Sequence, residues 1–266
     1  MPTTRSKRLP LDQRTTPIAR GDLIADAHDR LRDLIVTGRL APGAPIIETE
    51  VAALLRVRRA HLRVALQRLL HTGLVTSSPI STYSRSRVAP LTLPDVTELL
   101  SLIGAIEGLA ARNAAEIVPR DRRVLVAQLR RINRALKASA RGTPLDFHDL
   151  DAQFHDLFVT CGAGPRIRML YDAIKPQADR YLLLYTAHAL FDQLPASAAE
   201  HDAIIRAIAE GDVNAAQRSA EANWRNATAR FARFMKIAGE RGGDRPDGRR
   251  PRRRRDSAPG GRENSN

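Results

Sequence analysis

The chain has 266 residues, enough for two modest domains with their own cores. It is 43% hydrophobic but only 4% aromatic, which points to helices packed through Leu, Ala, Ile and Val. No apolar run approaches the roughly 20 residues that would cross a bilayer. Met1 to Arg20 lacks the apolar stretch of a secretory signal. The single Cys161 excludes an internal disulfide, and the reading that follows is a cytoplasmic protein without a membrane partner. The net charge of +14 is uneven. Residues 1–20 and 21–92 carry +4 each, residues 93–240 only +1, and residues 241–266 carry +5. A basic module beside a nearly neutral one suggests that one part meets a polyanion and the other does something else.

Met1 to Arg20 mixes Pro, Thr, Arg and Lys without a period and reads as a disordered basic arm. From Asp22 a helical period begins, with Leu23, Ile24, Ala27, Leu31, Leu34 and Ile35, and it stops at Gly38. Leu40 to Gly43 is a turn. A short helix is predicted from about Glu48 to Leu55, and another from about Arg58 to His71 with Leu62, Ala65, Leu66, Leu69 and Leu70 on one face. Leu74 to Ser77 and Ser84 to Val88 read as strands joined by the loop Ser78 to Tyr83. Three helices and a hairpin in this span make a winged helix-turn-helix. From Thr92 to Lys236 only helical periodicity is seen. Helices are predicted over about 93–117, 120–140, 145–160, 165–188, 195–210 and 212–237, each ended by a Gly or Pro break. Such a run makes an all-α bundle. The predicted organisation is thus a mostly α chain: arm 1–20, winged helix-turn-helix 21–90, six-helix bundle 93–238, and a disordered Arg-rich tail 239–266.

The spacing around the predicted reading helix is specific. Gly38, Leu40, Pro42 and Gly43 are followed by Glu48, Ala52, Leu55, Arg59, Arg63, Ala65, Leu66, Leu69, Gly73, Leu74 and Val75. Over residues 21–90 this resembles the N-terminal domain of the GntR family of bacterial repressors. Arg59 and Arg63, one turn apart, lie on one face, while Leu62, Leu66 and Leu69 hold a neighbouring face to the core. Guanidinium forks suit phosphates and the O6/N7 edge of guanine. Arg58 adds charge at the helix start, where free N–H groups and the helix dipole favour anions. The expected DNA contacts are Arg58, Arg59, His61 and Arg63, with Glu48 and Thr49 near the phosphates. The chain departs from the family pattern at Arg56 (usually Gly), Arg58 (Ser or Thr), His61 (Pro or Thr) and Val64 (Glu), and the wing tip has no Gly. An operator unlike the common one, or weaker DNA binding, would follow.

Residues 93–237 resemble the FCD ligand-binding domain of the FadR-like subfamily. The anchors are Ile106 to Arg112, Asp151 to His155, Glu200 to Ile204 and Gly211 to Ala216. The resemblance implies an all-α dimerising bundle that holds a divalent metal beneath a pocket for a small carboxylate. Carried over residue by residue, the ligands are Asp151, His155 and His201, with Asn223 in place of a third His. Asp151 and His155 lie one turn apart, and imidazole plus carboxylate suits zinc, nickel, manganese or iron. Asn223 offers only a neutral oxygen, so the site holds metal weakly, takes a harder ion, or stays empty. His148 lies about 10 Å along the axis from His155, too far to share an ion. Ile103 stands where many FCD domains place an Arg, with Arg112, Arg134 and Arg180 as unranked substitutes.

The expectation is therefore a homodimeric repressor, not an enzyme, that binds an inverted repeat in double-stranded DNA and responds to a small effector, read as an organic acid. Two rivals stand beside it. A nonspecific or architectural DNA binder would use the basic arm and tail through counterion release. A metal-dependent enzyme would activate water at Asp151, His155 and His201. No nucleophile elbow, phosphate loop, His-Glu-x-x-His or dinucleotide fingerprint supports an enzyme.

Overall fold

The computed structural model describes residues 20–78, 85–139, 144–189 and 194–242. The N-terminal unit begins with α1 (Arg20–Val36), α2 (Glu48–Leu55) and α3 (Arg59–His71), followed by β1 (Val75–Ser78) and β2 (Arg85–Val88). Its core joins Ala27, Leu31 and Ile35 of α1 with Leu55 of α2, Leu62, Leu66 and Leu69 of α3, and Val75 and Val88 of the strands. These are the apolar positions of the sequence pattern. The strands pair antiparallel, with Val75 opposite Val88 and Ser78 opposite Arg85. Residues 79–84, where the wing tip is expected, lie outside the described residues, as do the expected arm to residue 19 and the tail beyond 242.

The second unit is built from α4 (Leu93–Glu116), α5 (Pro119–Ala138), α6 (Pro144–Gly162), α7 (Pro165–Ala189), α8 (Leu194–Glu210) and α9 (Val213–Ala238). Proline opens α5, α6 and α7 at the predicted breaks, where a missing N–H costs nothing. Thr92 caps α4 by accepting from the Asp95 N–H, and Asp212 caps α9 by accepting from the N–H groups of Asn214 and Ala215. Helix α4 is the central element. Its Ala110, Ala111, Ala114 and Ala115 pack with Phe154 and Phe158 of α6, Ile204 and Ile208 of α8, and Ala216 and Ala220 of α9. The other end of α4 contributes Leu100 and Ile103 to a cluster with Tyr181, Trp224, Phe231 and Met235.

Three features join the two units. The buried Arg180 of α7 donates to the Ala89 carbonyl at 2.6 Å, and the Tyr181 hydroxyl accepts from the Thr92 N–H at 2.9 Å. After α9 the backbone of Arg241 exchanges two hydrogen bonds with Leu91, at 2.8 and 3.0 Å, and Glu240 Oε1 accepts from the Leu93 N–H at 2.8 Å. Gly242 then lies against Pro42 and Gly43 of the first unit, so closely that a Cβ on Gly43 would stand 2.4 Å from the Gly242 carbonyl oxygen. No helix among the described residues is long and apolar enough to cross a membrane.

Close packing of α4 depends on small residues. A Cβ on Gly162, the last residue of α6, would stand 2.0 Å from the Ala110 carbonyl oxygen and 2.8 Å from the Ala114 nitrogen. These are backbone atoms that cannot swing away. Gly162→Ala is expected to destabilise the protein by about 1–3 kcal/mol through overpacking, read as a lower denaturation midpoint. An unchanged midpoint would show that α6 and α4 separate freely.

Candidate functional site

The α2–α3 turn sets the reading helix. Arg56 closes α2 in the left-handed region at φ 53°, ψ 41°, donating its N–H to the Ala53 carbonyl at 3.1 Å. This is the position where glycine is usual, and a non-glycine residue there costs roughly 1–2 kcal/mol. Arg58, extended at φ −70°, ψ 143°, precedes α3 as its N-cap without a side-chain cap bond, so the helix starts one residue later than predicted. Glu48 at the start of α2 faces α3. Its Oε2 accepts from Arg63 Nε at 2.8 Å and stands 3.7 Å from an Arg59 nitrogen. Both guanidiniums stay exposed, at 57% and 62%. Glu48 thus holds two arginines side by side on an open face, an orienting role that sequence spacing did not reveal. Arg58 and Thr49 are exposed beside them, and His61 is half-buried.

The second cluster is buried in the bundle. Asp151 and His155 on α6 meet His201 on α8, with one ligand atom from each within 4.8 Å of the others. Asp151 Oδ1 stands 3.5 Å from His201 Nε2, and Asp151 Oδ2 stands 4.0 Å from His155 Nε2. His155 donates its Nδ1–H to Glu107 Oε2 at 2.5 Å, which leaves Nε2 for the cluster. A carboxylate behind a histidine is the usual support for a metal-binding imidazole. His201 is fully buried and stacked on Phe154 with centroids 3.9 Å apart, and neither ring nitrogen has a hydrogen-bond partner among the described residues. Buried polar atoms are rarely left so. An ion among these side chains would take up His201 Nε2, the nitrogen that faces Asp151, so the donors present fit a divalent metal.

Burial holds the His201 imidazole well below the usual histidine range, with His155 acting in the same direction, so it stays neutral with a lone pair to offer. Burial pushes Asp151 up, opposed by His155 and Lys175. For His155 burial works against the charged form, but the Glu107 carboxylate outweighs it and raises the pKa.

Asn223 on α9 is 4% exposed and lines the same cavity as Asp151 and His155. Its Nδ2 donates to Glu200 Oε2 at 3.0 Å. Glu200 also accepts both terminal nitrogens of Arg230, at 2.8 and 3.0 Å. The cavity is walled by Phe147, Leu182, Trp224, Phe231 and Arg230, and holds about 40 Å³. That is room for a few waters, each needing about 10–15 Å³. Arg112, Arg134 and Arg180 do not line it. Arg112 bonds Asn214 and Arg180 bonds Ala89, so none of them replaces the arginine that Ile103 lacks there. His148 stands outside the cluster, near Asp179. Cys161 is exposed.

Three residues of this site, Glu107, Glu200 and Arg230, were given no site role from sequence. Glu107 was visible as a lone acid among Ile106, Ala110 and Ala111, a sign of a buried charge with a partner. Arg230 sits among other arginines on α9, and nothing local marked it.

Comparison with known proteins agrees with both halves. Residues 23–81 match the model of the bacterial regulatory proteins of the gntR family, and residues 98–226 match that of the FCD domain. A Streptomyces ambofaciens protein named an uncharacterized HTH-type transcriptional regulator in an unstable DNA locus is 30% identical over 195 residues, which is 71% of this chain and 76% of the relative. A Paenarthrobacter nicotinovorans protein, named "Probable D-xylose utilization operon transcriptional repressor", is 25% identical over 79% of this chain and 88% of its own. Among solved structures, Escherichia coli McbR/YncC superposes with a TM-score of 0.64 at 15% identity, covering 79% of this chain and 97% of that one. A GntR regulator from Rhodococcus sp. RHA1 gives 0.60 at 21% identity, covering 78% and 96%. At these identities the two structures support the fold alone. The molecule is a transcriptional regulator with a DNA-binding helix-turn-helix and an all-α FCD domain, not an enzyme. It belongs to the GntR family, in the branch that carries an FCD domain.

Glu107 receives the Trp224 Nε1–H at 2.7 Å as well as His155, both on the same buried oxygen. Glu107→Ala leaves two buried donors unpaired and should lower stability by roughly 2–4 kcal/mol. Equilibrium denaturation measures this, and a loss below the spread of surface mutants would mean that water replaces the carboxylate.

Proposed function

We propose that this chain is a metabolite-responsive repressor acting in the cytoplasm, with residues 21–90 as the DNA-reading head and residues 93–238 as the effector-binding and dimer-forming bundle. Two copies bind a short inverted repeat, each α3 taking one half-site in the major groove. Arg59 and Arg63 reach the base edges or clamp the phosphates. Glu48 aligns them, and Arg58, Thr49 and His61 lie at the same edge of the groove. Support for this part is the Glu48 bridge, which holds two exposed guanidiniums in register.

The reading of a sensory site rests on one observation, a His201 ring whose nitrogens have no hydrogen-bond partner among the described residues, beside Asp151 and His155. Asp151, His155, His201 and Asn223 would hold a divalent ion. When bound, the ion supplies a positive, Lewis-acidic attachment point for a small carboxylate. Because Glu200 takes the amide nitrogen of Asn223, the atom left for the cavity is its carbonyl oxygen. Two oxygens and two imidazoles favour manganese or iron over zinc, compared with the three-histidine pattern. A cavity of about 40 Å³ is too small for a metabolite, so entry requires α9 to move away from α6 and α8. The Arg230–Glu200 pair that bridges α8 and α9 would open with it. Helix α9 continues into the segment bonded to Leu91. A ligand that prefers the opened bundle therefore shifts the orientation of the heads, which needs only a difference in affinity between the two states.

Titration calorimetry with manganese, iron(II) and zinc should give binding to the wild-type protein that falls at least tenfold in His155→Ala. Equal binding by both proteins would remove this site. In DNA-binding assays on the protein's own upstream region, Arg63→Ala is expected to cost about 1–3 kcal/mol and to narrow the gap between that DNA and a scrambled one. An equal loss on both sequences would make Arg63 a phosphate contact only.

A further inference from the structure

Helix α3 packs on the head through Leu62, Ala65, Leu66 and Leu69, all buried. At about 100° of rotation per residue, Ala60 and Val64 stand roughly 170° and 150° around the helix from the middle of that row. Both are exposed and point away from the core. Arg59 and Arg63 stand only about 70° and 110° from the row, on the side where Glu48 meets them. His61 and Arg68 stand about 90° and 110° from it on the opposite side. Gln67, exposed as well, follows Val64 on the outward face one turn later. The outermost line of the first two turns of α3 is therefore short and apolar, with charged or polar side chains on both flanks.

Val64 gives the folded head little, being 40% exposed while the leucines of α3 are buried or half-buried. A β-branched side chain on an open helix face loses rotamer freedom without packing in return. Single exposed apolar residues are common, but this one stands between rows that carry Arg59 and Arg63 on one side and His61 and Arg68 on the other. Ala60 and Val64 together present far less than the roughly 800 Å² that each side of a stable protein interface buries. A DNA groove suits them better. The major groove, about 12 Å wide, admits a helix. Short side chains along the outermost line let the helix axis come close to the base pairs, while the longer Arg59 and Arg63 reach out from its side. The apolar group that the groove floor presents is the C5-methyl of thymine.

We propose that Val64 is a specificity-determining residue whose methyl groups pack on the C5-methyl of one thymine in each half-site, with Ala60 leaving the helix free to sit that deep. This rests on the head binding DNA through α3, as above. Arg59 and Arg63 supply charge and hydrogen bonds. Val64 selects a T·A pair. A C·G pair offers no methyl there, and the cytosine N4 amino group would lose water against valine without gaining an acceptor.

The test begins with selection of duplexes from a random-sequence pool by the full chain. Fluorescence anisotropy then compares a recovered site with copies in which one thymine at a time, in both half-sites, is replaced by deoxyuridine. That change removes the methyl alone. At one thymine position the wild-type protein should lose about fourfold in affinity per half-site, the effect of one carbon left unburied. Val64→Ala should bind the thymine duplex more weakly than the wild type does. It should bind the thymine and deoxyuridine duplexes within about twofold of each other, which closes a double-mutant cycle on the contact. Because Val64 is exposed, the variant keeps the core of α3, and a fold-wide defect would lower both affinities without removing the discrimination. Recovered sites in which no thymine methyl matters would overturn the contact and leave the head's role intact. A methyl that matters equally to Val64→Ala would belong to another residue and overturn it too. A wild-type protein that recovered no site would overturn the proposal and the DNA-reading head together.

Discussion

Glu107 sits in the middle of α4 with no exposure to solvent, and one of its oxygens takes N–H donors from two other helices. A buried carboxylate is costly unless it is hydrogen-bonded, and each donor would be equally costly without it. The three groups therefore fix one another. His155 is held with Nε2 turned toward Asp151, and Trp224 is held as a wall of the cavity. The Asp151–His155–His201 cluster inherits its geometry from this contact. The small residues along α4 serve the same end, since they let α6 and α9 approach close enough for the two bonds to form.

Much of the fold could be read from the chain because its signals are local. Leu62, Ala65, Leu66 and Leu69 repeat at helical spacing, and they are the residues of α3 that the structure buries. Prolines and glycines mark the helix ends of the bundle. The Asp151–His155 pair was legible for the same reason, being a single turn of one helix. His201 became legible only through the family pattern, since it comes from another helix 46 residues further on. Glu107 lies 48 residues from His155 and 117 from Trp224, and spacing does not encode such pairs. Glu200 and Arg230 lie 30 apart and escaped notice likewise. Near the start of the stretch expected to be wholly tail, Glu240, Arg241 and Gly242 bond and pack against the head–bundle junction through contacts that composition does not reveal.

The junction between the two units rests on backbone more than on side chains. Arg180 binds a carbonyl, Arg241 and Leu91 pair main chain to main chain, and Gly242 meets Gly43 without a Cβ on either side. The two glycines leave no room for a side chain there, so the approach of the two backbones depends on both.

Trp224 is the only tryptophan in the chain, and it lines the cavity with its indole N–H on Glu107 and its ring centroid 5.0 Å from that of His155. The molecule thus contains one natural fluorophore, placed beside the candidate ligands. Its emission arises from that spot alone, without background from other indoles. Entry of water, a paramagnetic ion or an organic guest alters the polarity or quenching at the ring. Occupancy of this cavity can be followed optically in the unlabelled protein, including while it is bound to DNA.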